Sequence, residues 1–236
     1  MQTILIVDDE QDIRNSLKLC LRGEGYDFVE AANGREALVA VKRSTPALII
    51  LDCMMPVQDG LAALKEIRKE PAGKLIPVIM LTALSDDVDI IKCFEAGADS
   101  YISKPFKFVH LQMQVKALLQ RAVSSESTAK TAAATLVFYN LELRPAEYAV
   151  AIDGVPVELT PKEFDLLKFF LEQPNKLHSR DDILNHVWGY DFEETRTVDY
   201  HLSKLREKLV KCPEFVGALI NVRGRGYRLD VRGFGE

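Results

Sequence analysis

The chain has 236 residues, of which 47% are hydrophobic and 28% are charged, and its formal net charge is −5 at pH 7. This length suits two domains that each bury a core, and the composition is typical of globular proteins. No segment approaches the run of about 20 apolar residues that a membrane helix needs. The four cysteines form no C-x-x-C pair, so we expect reduced thiols in a cytoplasmic protein, without disulfides or zinc.

Basic residues are concentrated near the end of the chain, although the net charge is negative. Residues 195–228 contain eight lysines and arginines but only three acidic residues, a surplus of five positive charges. A local surplus of this kind favours a nucleic-acid partner for that part of the chain.

Five short apolar segments alternate with helical patterns in the first half of the chain. These predicted strands are residues 3–7, 27–31, 48–52, 77–81 and 100–102. The alternation predicts an α/β domain with a doubly wound, five-stranded parallel sheet. The carboxyl ends of parallel strands share one edge, so we expect the polar residues at four of these ends to lie together. They are Asp8, Asp9, Asp52, Thr82 and Lys104.

The chemistry of these five side chains favours phosphoryl transfer. Three neighbouring carboxylates repel one another unless a cation lies among them, and carboxylate oxygens suit Mg²⁺. A hydroxyl and an ammonium group can stabilise phosphoryl oxygens, and Asp52 at the end of a buried strand can serve as the nucleophile. Taken singly, each residue has a structural alternative, such as a helix cap for Asp8 or Asp9. Cys53, directly after Asp52, is expected to be a buried structural thiol.

Residues 1–121 resemble a response-regulator receiver domain. The resemblance is carried by Val7-Asp8-Asp9-Glu10, Leu51-Asp52-Cys53-Met54-Met55-Pro56 with Asp59-Gly60, Leu81-Thr82-Ala83 and Lys104-Pro105-Phe106. It implies that Asp52 accepts a phosphoryl group from a sensor histidine kinase, with Lys104 and Thr82 assisting. It implies a magnesium site formed by Asp9, Asp52 and the backbone carbonyl of Met54, with Asp8 acting nearby through water. It also implies a switch pair of Thr82 and Tyr101, and a cis Lys104–Pro105 peptide bond.

Residues 122–134 contain no leucine, isoleucine or aromatic residue. We predict a flexible linker there, with a helix extension as the alternative. Residues 135–236 form the predicted second domain, which begins with four short strands at 136–138, 141–143, 148–152 and 155–159. Asp153-Gly154 predicts a hairpin turn between the last two strands.

Three helices and a final hairpin complete the predicted second domain. Thr160 and Ser179 are the predicted N-caps of the first two helices, and the third helix covers residues 195–209. The hairpin pairs residues 220–222 with residues 227–229 and carries arginines at its turn. A basic helix beside such a hairpin suits duplex DNA, and the alternative is a solvated basic face.

Residues 136–229 resemble the OmpR/PhoB winged-helix effector domain. The resemblance is carried by residues 159–167, Val187-Trp188-Gly189, residues 196–202 and Val222-Arg223-Gly224-Arg225-Gly226-Tyr227-Arg228. It implies a winged helix-turn-helix with residues 195–209 as the recognition helix and 219–229 as the wing. It also implies that the loop 188–194 can touch RNA polymerase. The predicted DNA contacts are Arg196, Tyr200, His201, Lys204, Arg206, Asn221, Arg223 and Arg225.

Two departures from the family pattern concern DNA sequence and dimerisation. Ser203 stands where members often carry a second arginine, so the preferred DNA sequence is expected to differ. Ser100, His110 and Gln114 replace charged residues through which active members dimerise. A homodimer is still expected, and its interface would be more apolar. The candidates for that interface are Ile90, Phe108 and Val109.

The leading hypothesis is a two-component transcription factor that is phosphorylated on Asp52, dimerises and then binds promoter DNA. Enzymatic activity is expected only in its own phosphoryl transfer and dephosphorylation. One alternative is a metal-dependent aspartyl-phosphate phosphatase. Another is a phosphorylation-independent DNA-binding protein that uses the receiver domain only for dimerisation.

Overall fold

The computed structural model describes residues 2–83, 87–128, 134–189 and 196–232. The chain divides into two compact units, Met1–Ala122 and Val123–Glu236. Among the described residues, no helix is both long enough and apolar enough to cross a membrane.

The first unit contains a parallel sheet with the strand order β2-β1-β3-β4-β5. Its strands are β1 (Gln2–Val7), β2 (Tyr26–Ala31), β3 (Leu48–Asp52), β4 (Val78–Thr82) and β5 (Ser100–Ser103). Every residue of β3 and β4 is buried, which is typical of strands that helices cover on both faces. The predicted doubly wound fold is confirmed.

Five helices accompany this sheet. They are α1 (Gln11–Leu21), α2 (Gly34–Ser44), α3 (Gly60–Lys69), α4 (Asp87–Glu95) and α5 (Phe108–Thr128). Helix α5 continues into the segment that was predicted as a flexible linker, so the helix-extension alternative holds for residues 122–128. Adding a residue to an existing helix costs little, which lets a short polar segment continue the helix. The next residues of the predicted linker, 129–133, lie outside the described residues.

The second unit begins with an antiparallel sheet and ends with a hairpin. The sheet contains β6 (Leu136–Phe138), β7 (Leu141–Arg144), β8 (Ala149–Ile152) and β9 (Val155–Pro156), and the hairpin contains β10 (Leu219–Val222) and β11 (Gly226–Leu229). Between them lie α6 (Pro161–Glu172), α7 (Arg180–Trp188), α8 (Arg196–Lys208) and α9 (Pro213–Ala218). The winged-helix prediction is confirmed. Helix α9 was not predicted, because six residues are too few to show helical periodicity.

The predicted helix starts of the second unit agree with the structure. The Thr160 hydroxyl accepts a hydrogen bond from the backbone N–H of Glu163, and the Glu163 carboxylate accepts from the N–H of Thr160. Ser179 and Asp182 form the same reciprocal capping box at the start of α7. These boxes fix where the two helices begin because they satisfy N–H groups that have no partner within the helix.

Gly60 brings the start of α3 against the end of β3. Its N–H donates to the carbonyl oxygen of Cys53 at 2.9 Å, and the Asp59 carboxylate caps the helix by accepting from the N–H of Ala62 at 2.7 Å. A Cβ atom at residue 60 would lie 1.9 Å from the carbonyl oxygen of Asp52. Only glycine therefore fits this approach to the strand that carries Asp52.

We expect Gly60→Ala to destabilise the first unit by about 3 kcal/mol, because the added methyl group meets rigid backbone. Gly23→Ala is the control: its Cβ would meet nothing within 4 Å, and only its positive φ of 96° is unfavourable, at about 1 kcal/mol. Urea unfolding followed by far-UV circular dichroism measures both. The fluorescence of Trp188, the single tryptophan, reports on the second unit and should not change. Equal destabilisation by the two substitutions would contradict the steric account.

Candidate functional site

Three carboxylates meet at the carboxyl edge of the parallel sheet. Asp8 and Asp9 directly follow β1, and Asp52 is the last residue of β3. One oxygen from each carboxylate lies within 4.8 Å of the others. Asp8 and Asp52 are buried, whereas Asp9 is exposed. The sequence prediction that these acids converge is therefore confirmed by their geometry.

Lys104, in the loop that follows β5, connects two of these acids. Its Nζ atom lies 2.9 Å from Asp8 Oδ2 and 2.9 Å from Asp52 Oδ1. Burial lowers the pKa of Lys104, but its hydrogen bonds to Asp52 and Asp8 outweigh burial and the net pKa is raised. The ammonium group therefore stays charged beside Asp52. The Lys104–Pro105 peptide bond is cis, as predicted.

The electrostatics of Asp52 favour a cation at this site. Burial raises the pKa of Asp52; the hydrogen bond and charge of Lys104 lower it, the charges of Asp8 and Asp9 raise it, and the net shift is upward. Three carboxylates against one ammonium group leave two negative charges without compensation. A divalent cation that prefers oxygen ligands, such as Mg²⁺, fits this donor set.

Arg14, which the sequence prediction missed, holds the backbone that carries the first two acids. It is buried on α1, and its guanidinium donates to the carbonyl oxygens of Asp8 at 2.6 Å and Asp9 at 3.2 Å. Its Nε atom lies 3.1 Å from the carboxylate of Glu30. The sequence did contain a signal for this role, namely an arginine in the first turn of the helix that follows two adjacent acids.

The predicted switch pair lies on β4 and β5, and the predicted carbonyl ligand lies in the segment that follows β3. Thr82 is the buried last residue of β4, and Tyr101 is buried on β5 with its ring centroid 5.7 Å from that of Phe94 on α4. Met54 follows Asp52 by two residues, and its side chain is exposed. The switch role of Thr82 and Tyr101 and the ligand role of the Met54 carbonyl stay predictions.

Two of the three residues that replace the usual charged residues lie inside the first unit. Ser100 and Gln114 are buried, and the Ser100 hydroxyl donates to Gln114 Oε1 at 2.9 Å. These two residues therefore hydrogen-bond to each other instead of presenting charges at the surface. His110 is exposed, as are the apolar side chains of Phe108 and Val109, and Ile90 is half-buried.

Among the predicted DNA contacts whose side chains the structure describes, the exposed ones lie on the β10–β11 hairpin. Arg223, Arg225 and Asn221 are exposed. On α8, Tyr200 and Lys204 are half-buried, with Lys204 Nζ 5.9 Å from the centroid of the Tyr200 ring. Lys204 Nζ also lies 3.1 Å from the carboxylate of Glu207.

His201 belongs to the core of the second unit, so its predicted DNA contact is wrong. Its side chain is only 2% exposed, and its ring centroid lies 5.2 Å from that of Trp188. Its Nδ1 atom is 2.9 Å from the carbonyl oxygen of Thr197, so the neutral ring donates from Nδ1. Burial lowers the pKa of His201 to about 4. Because the helix is rich in basic residues, its sequence pattern did not show that His201 faces inward.

Arg206, another predicted DNA contact, supports the hairpin instead of projecting freely from α8. It is half-buried and donates to the carbonyl oxygen of Leu219 at 2.6 Å. Its guanidinium carbon lies 5.8 Å from the centroid of the Tyr227 ring. These contacts fix the side chain against the start of β10 and the middle of β11. Arg196 is the first residue of α8, and its side chain lies outside the described atoms.

Asp199 joins α8 to α7 and to the hairpin. Its carboxylate accepts from Arg180 Nε at 2.9 Å and from the Tyr227 hydroxyl at 2.7 Å. Asn221 donates from Nδ2 to the same hydroxyl at 3.2 Å. Hydrogen bonds to charged groups are stronger than neutral ones, so this network holds the hairpin in one position beside α8.

Each unit matches a known protein family. Residues 4–116 match the response regulator receiver domain, and residues 154–229 match the C-terminal domain of transcriptional regulatory proteins. The transcriptional regulatory protein ResD of Bacillus subtilis is 42% identical over 232 residues, which are 97% of this chain and 95% of ResD. The chain belongs to the OmpR/PhoB-type response regulators.

Other relatives of this response regulator also match along nearly their whole length. The transcriptional regulatory protein SrrA of Staphylococcus aureus is 40% identical over 233 residues, which cover 97% of this chain and 95% of SrrA. The structure of DrrB, an OmpR/PhoB homologue from Thermotoga maritima, is 27% identical with a TM-score of 0.51, covering 98% of this chain and 99% of DrrB. The protein is thus a two-component transcriptional regulator with a receiver domain and a DNA-binding domain.

The predicted polymerase-contacting loop of this response regulator, residues 188–194, lies largely outside the described residues. Trp188 ends α7 and is buried, and Gly189 adopts a positive φ of 84° as the helix C-cap. Residues 190–194 lie outside the described residues.

We expect Asp52→Asn to stabilise the first unit at pH 7 in the presence of EDTA. The raised pKa of Asp52 means that ionisation costs stability in the folded unit, and this cost is present above the ordinary pKa of about 4. The gain should therefore vanish below about pH 4, where both forms are neutral. Urea unfolding followed by circular dichroism measures it, with Asp59→Asn as the exposed control. A destabilised Asp52→Asn protein at pH 7 would contradict the burial account.

We expect the second unit to lose about 3 kcal/mol of stability through His201 as the pH falls from 6.5 to 4. Its folded pKa of about 4 lies below the ordinary value, so the neutral ring stabilises the fold above pH 6.5 and this contribution disappears on acidification. His201→Asn keeps a donor for the Thr197 carbonyl and does not titrate. Unfolding curves from Trp188 fluorescence should therefore show a weaker pH dependence for the variant, and identical pH profiles would contradict this assignment.

Proposed function

We propose that this response regulator is a transcription factor controlled by phosphorylation of Asp52. The observation that supports this function most directly is the position of Lys104 Nζ, 2.9 Å from the carboxylates of both Asp8 and Asp52. The receiver role is proposed for residues 1–121 and the DNA-binding role for residues 135–236, joined by a linker at 122–134. The partners are a sensor histidine kinase and double-stranded promoter DNA.

Asp52 acts as the nucleophile in the proposed reaction. One of its oxygens attacks the phosphorus of a phosphohistidine, so an O–P bond forms and the N–P bond to the kinase breaks. Lys104 stabilises the negative oxygens of the transferred group, and the hydroxyl of Thr82 donates a hydrogen bond to them. Arg14 is a positioning residue, since it acts only through the backbone of Asp8 and Asp9.

Asp8, Asp9, Asp52 and the backbone carbonyl of Met54 would hold Mg²⁺. When bound, the ion neutralises charge on the phosphoryl oxygens. Hydrolysis of the aspartyl phosphate by water at the same site would end the signal, and this self-limited chemistry is the only enzymatic activity we propose. Thr82 and Tyr101 transmit the phosphorylated state within the receiver domain, and the receiver domains form a homodimer.

DNA recognition is assigned to α8 and the β10–β11 hairpin. Helix α8 enters the major groove, and the hairpin meets the neighbouring phosphates. After His201 is excluded and Arg206 is assigned to support, the side chains proposed to contact DNA are Arg196, Tyr200, Lys204, Asn221, Arg223 and Arg225. The loop 188–194 is proposed to contact RNA polymerase.

The phosphoacceptor assignment predicts that Asp52→Asn abolishes covalent labelling. Full-length protein is incubated with acetyl phosphate and Mg²⁺, and its intact mass is measured. Wild type and Asp59→Asn should each gain one phosphoryl group, because Asp59 only caps α3 and asparagine caps equally well. Asp52→Asn should gain none, and EDTA should suppress labelling of the wild type. A phosphorylated Asp52→Asn protein would overturn the assignment.

The DNA assignment predicts that exposed hairpin arginines contribute to the salt dependence of binding. Arg223→Ala and Arg225→Ala should each reduce the slope of log affinity against log salt concentration by about one. Lys211→Ala is the control, an exposed lysine outside α8 and the hairpin. Fluorescence anisotropy with a duplex selected by the wild type from a random pool measures the slopes. Unchanged slopes in both arginine variants would rule out the hairpin as a phosphate contact.

A further inference from the structure

Two buried thiols meet directly beside the phosphoacceptor. Cys53 follows Asp52 at the end of β3, and Cys93 lies on α4, forty positions away in the chain. Their Sγ atoms are 3.6 Å apart. The Cys53 side chain is 5% exposed and that of Cys93 is 1% exposed. The function proposed above uses neither sulfur atom.

We propose that Cys53 and Cys93 form an oxidisable dithiol site, which a peroxide converts to a disulfide that tethers α4 to the strand carrying Asp52. A disulfide bond is about 2.05 Å long, so the sulfur atoms need to approach by about 1.5 Å. Side-chain rotation and a small shift of α4 can supply that movement. The regulatory part of this proposal rests on the function proposed above.

The reaction balances with hydrogen peroxide as the two-electron oxidant. One thiolate sulfur attacks a peroxide oxygen, so an S–O bond forms, the O–O bond breaks, and the departing hydroxide takes up a proton to become water. The second sulfur then attacks the sulfenic acid, so the S–S bond forms, the S–O bond breaks, and a second water leaves. The two thiols lose two hydrogen atoms in total, and a dithiol reductant reverses the reaction by thiol–disulfide exchange.

Backbone hydrogen bonds hold Cys53 in place, so a disulfide at this residue would restrain the partner helix α4. The Cys53 N–H donates to the carbonyl oxygen of Leu81 at 2.8 Å, and its own carbonyl accepts from Gly60 at 2.9 Å. Cys53 is therefore fixed between β4 and the start of α3. The element that has to shift in the disulfide is α4, because ladder hydrogen bonds of the sheet do not set its position.

Helix α4 also touches the predicted switch residue. Phe94, adjacent to Cys93, makes the edge contact with the ring of Tyr101. A disulfide at Cys93 would hold Phe94 in place and so restrict movement of Tyr101. Oxidation is therefore expected to weaken the coupling between phosphorylation and DNA binding.

The chemical site is tested first, without reference to DNA. Full-length protein carrying Cys20→Ser and Cys212→Ala, which retains only Cys53 and Cys93 as thiols, is treated with hydrogen peroxide, alkylated and digested without reductant. Mass spectrometry should find the two peptides cross-linked and two hydrogen atoms lighter than the reduced pair, and dithiothreitol should separate them. Wild type is mapped in parallel, so the result does not depend on how the variant folds. Two alkylated thiols, or sulfinic acids at either position, would overturn the proposal.

The regulatory consequence is tested on the wild-type protein and on Cys93→Ala. Beryllofluoride should increase the DNA affinity of the reduced wild type, and peroxide treatment should reduce this gain about tenfold, a typical size for coupling between sites. Cys93→Ala should keep its gain after peroxide, and Cys20→Ser should behave like the wild type. If the disulfide forms but the beryllofluoride-induced increase in DNA affinity stays the same, the regulatory role of the disulfide is overturned. A reduced wild type with no gain would instead contradict the proposed function, while the peptide map would still decide the chemical site.

Discussion

The ion pair of Lys104 with Asp8 and Asp52 is the interaction on which the first unit's chemistry depends. It joins residues that follow β1, end β3 and follow β5, at 2.9 Å to each carboxylate. Parallel strands bring these ends together at one edge of the sheet. Both faces of the sheet are covered, so the polar side chains lie at that edge. Burial raises the pKa of Asp52 while Lys104 opposes that effect. The site therefore holds a buried carboxylate whose charge Lys104 compensates only in part, which suits a nucleophile beside a divalent cation.

The second unit depends on a comparable constraint at Asp199. Its carboxylate accepts from α7 through Arg180 and from β11 through Tyr227, so the helix and hairpin that are proposed to contact DNA share one fixed support. This arrangement keeps the arginines of the hairpin exposed and their spacing from α8 constant. Preorganisation of this kind lowers the entropic cost of binding, because the two recognition elements are already positioned.

Much of this account could be predicted from the sequence, because apolar runs that end in acids specify both the strands and the edge where they meet. The N-caps Thr160 and Ser179 were predicted for a similar reason, since a capping hydroxyl directly precedes the helix that it begins. The sequence is uninformative where tertiary packing decides on which side a residue lies. His201 shares a helix with exposed basic residues but faces the core, and the burial of Ser100 against Gln114 depends on how α5 packs on β5. No local pattern contains that information.

The central claim is that the state of Asp52 controls DNA binding. It is tested most directly by measuring the affinity of the full-length protein for a selected duplex with and without beryllofluoride and Mg²⁺. The account predicts at least about fivefold tighter binding with beryllofluoride, the lower end of typical coupling between sites, and no gain for Asp52→Asn. Equal affinity of the wild type under both conditions would contradict the account and would favour a DNA-binding protein that acts independently of phosphorylation.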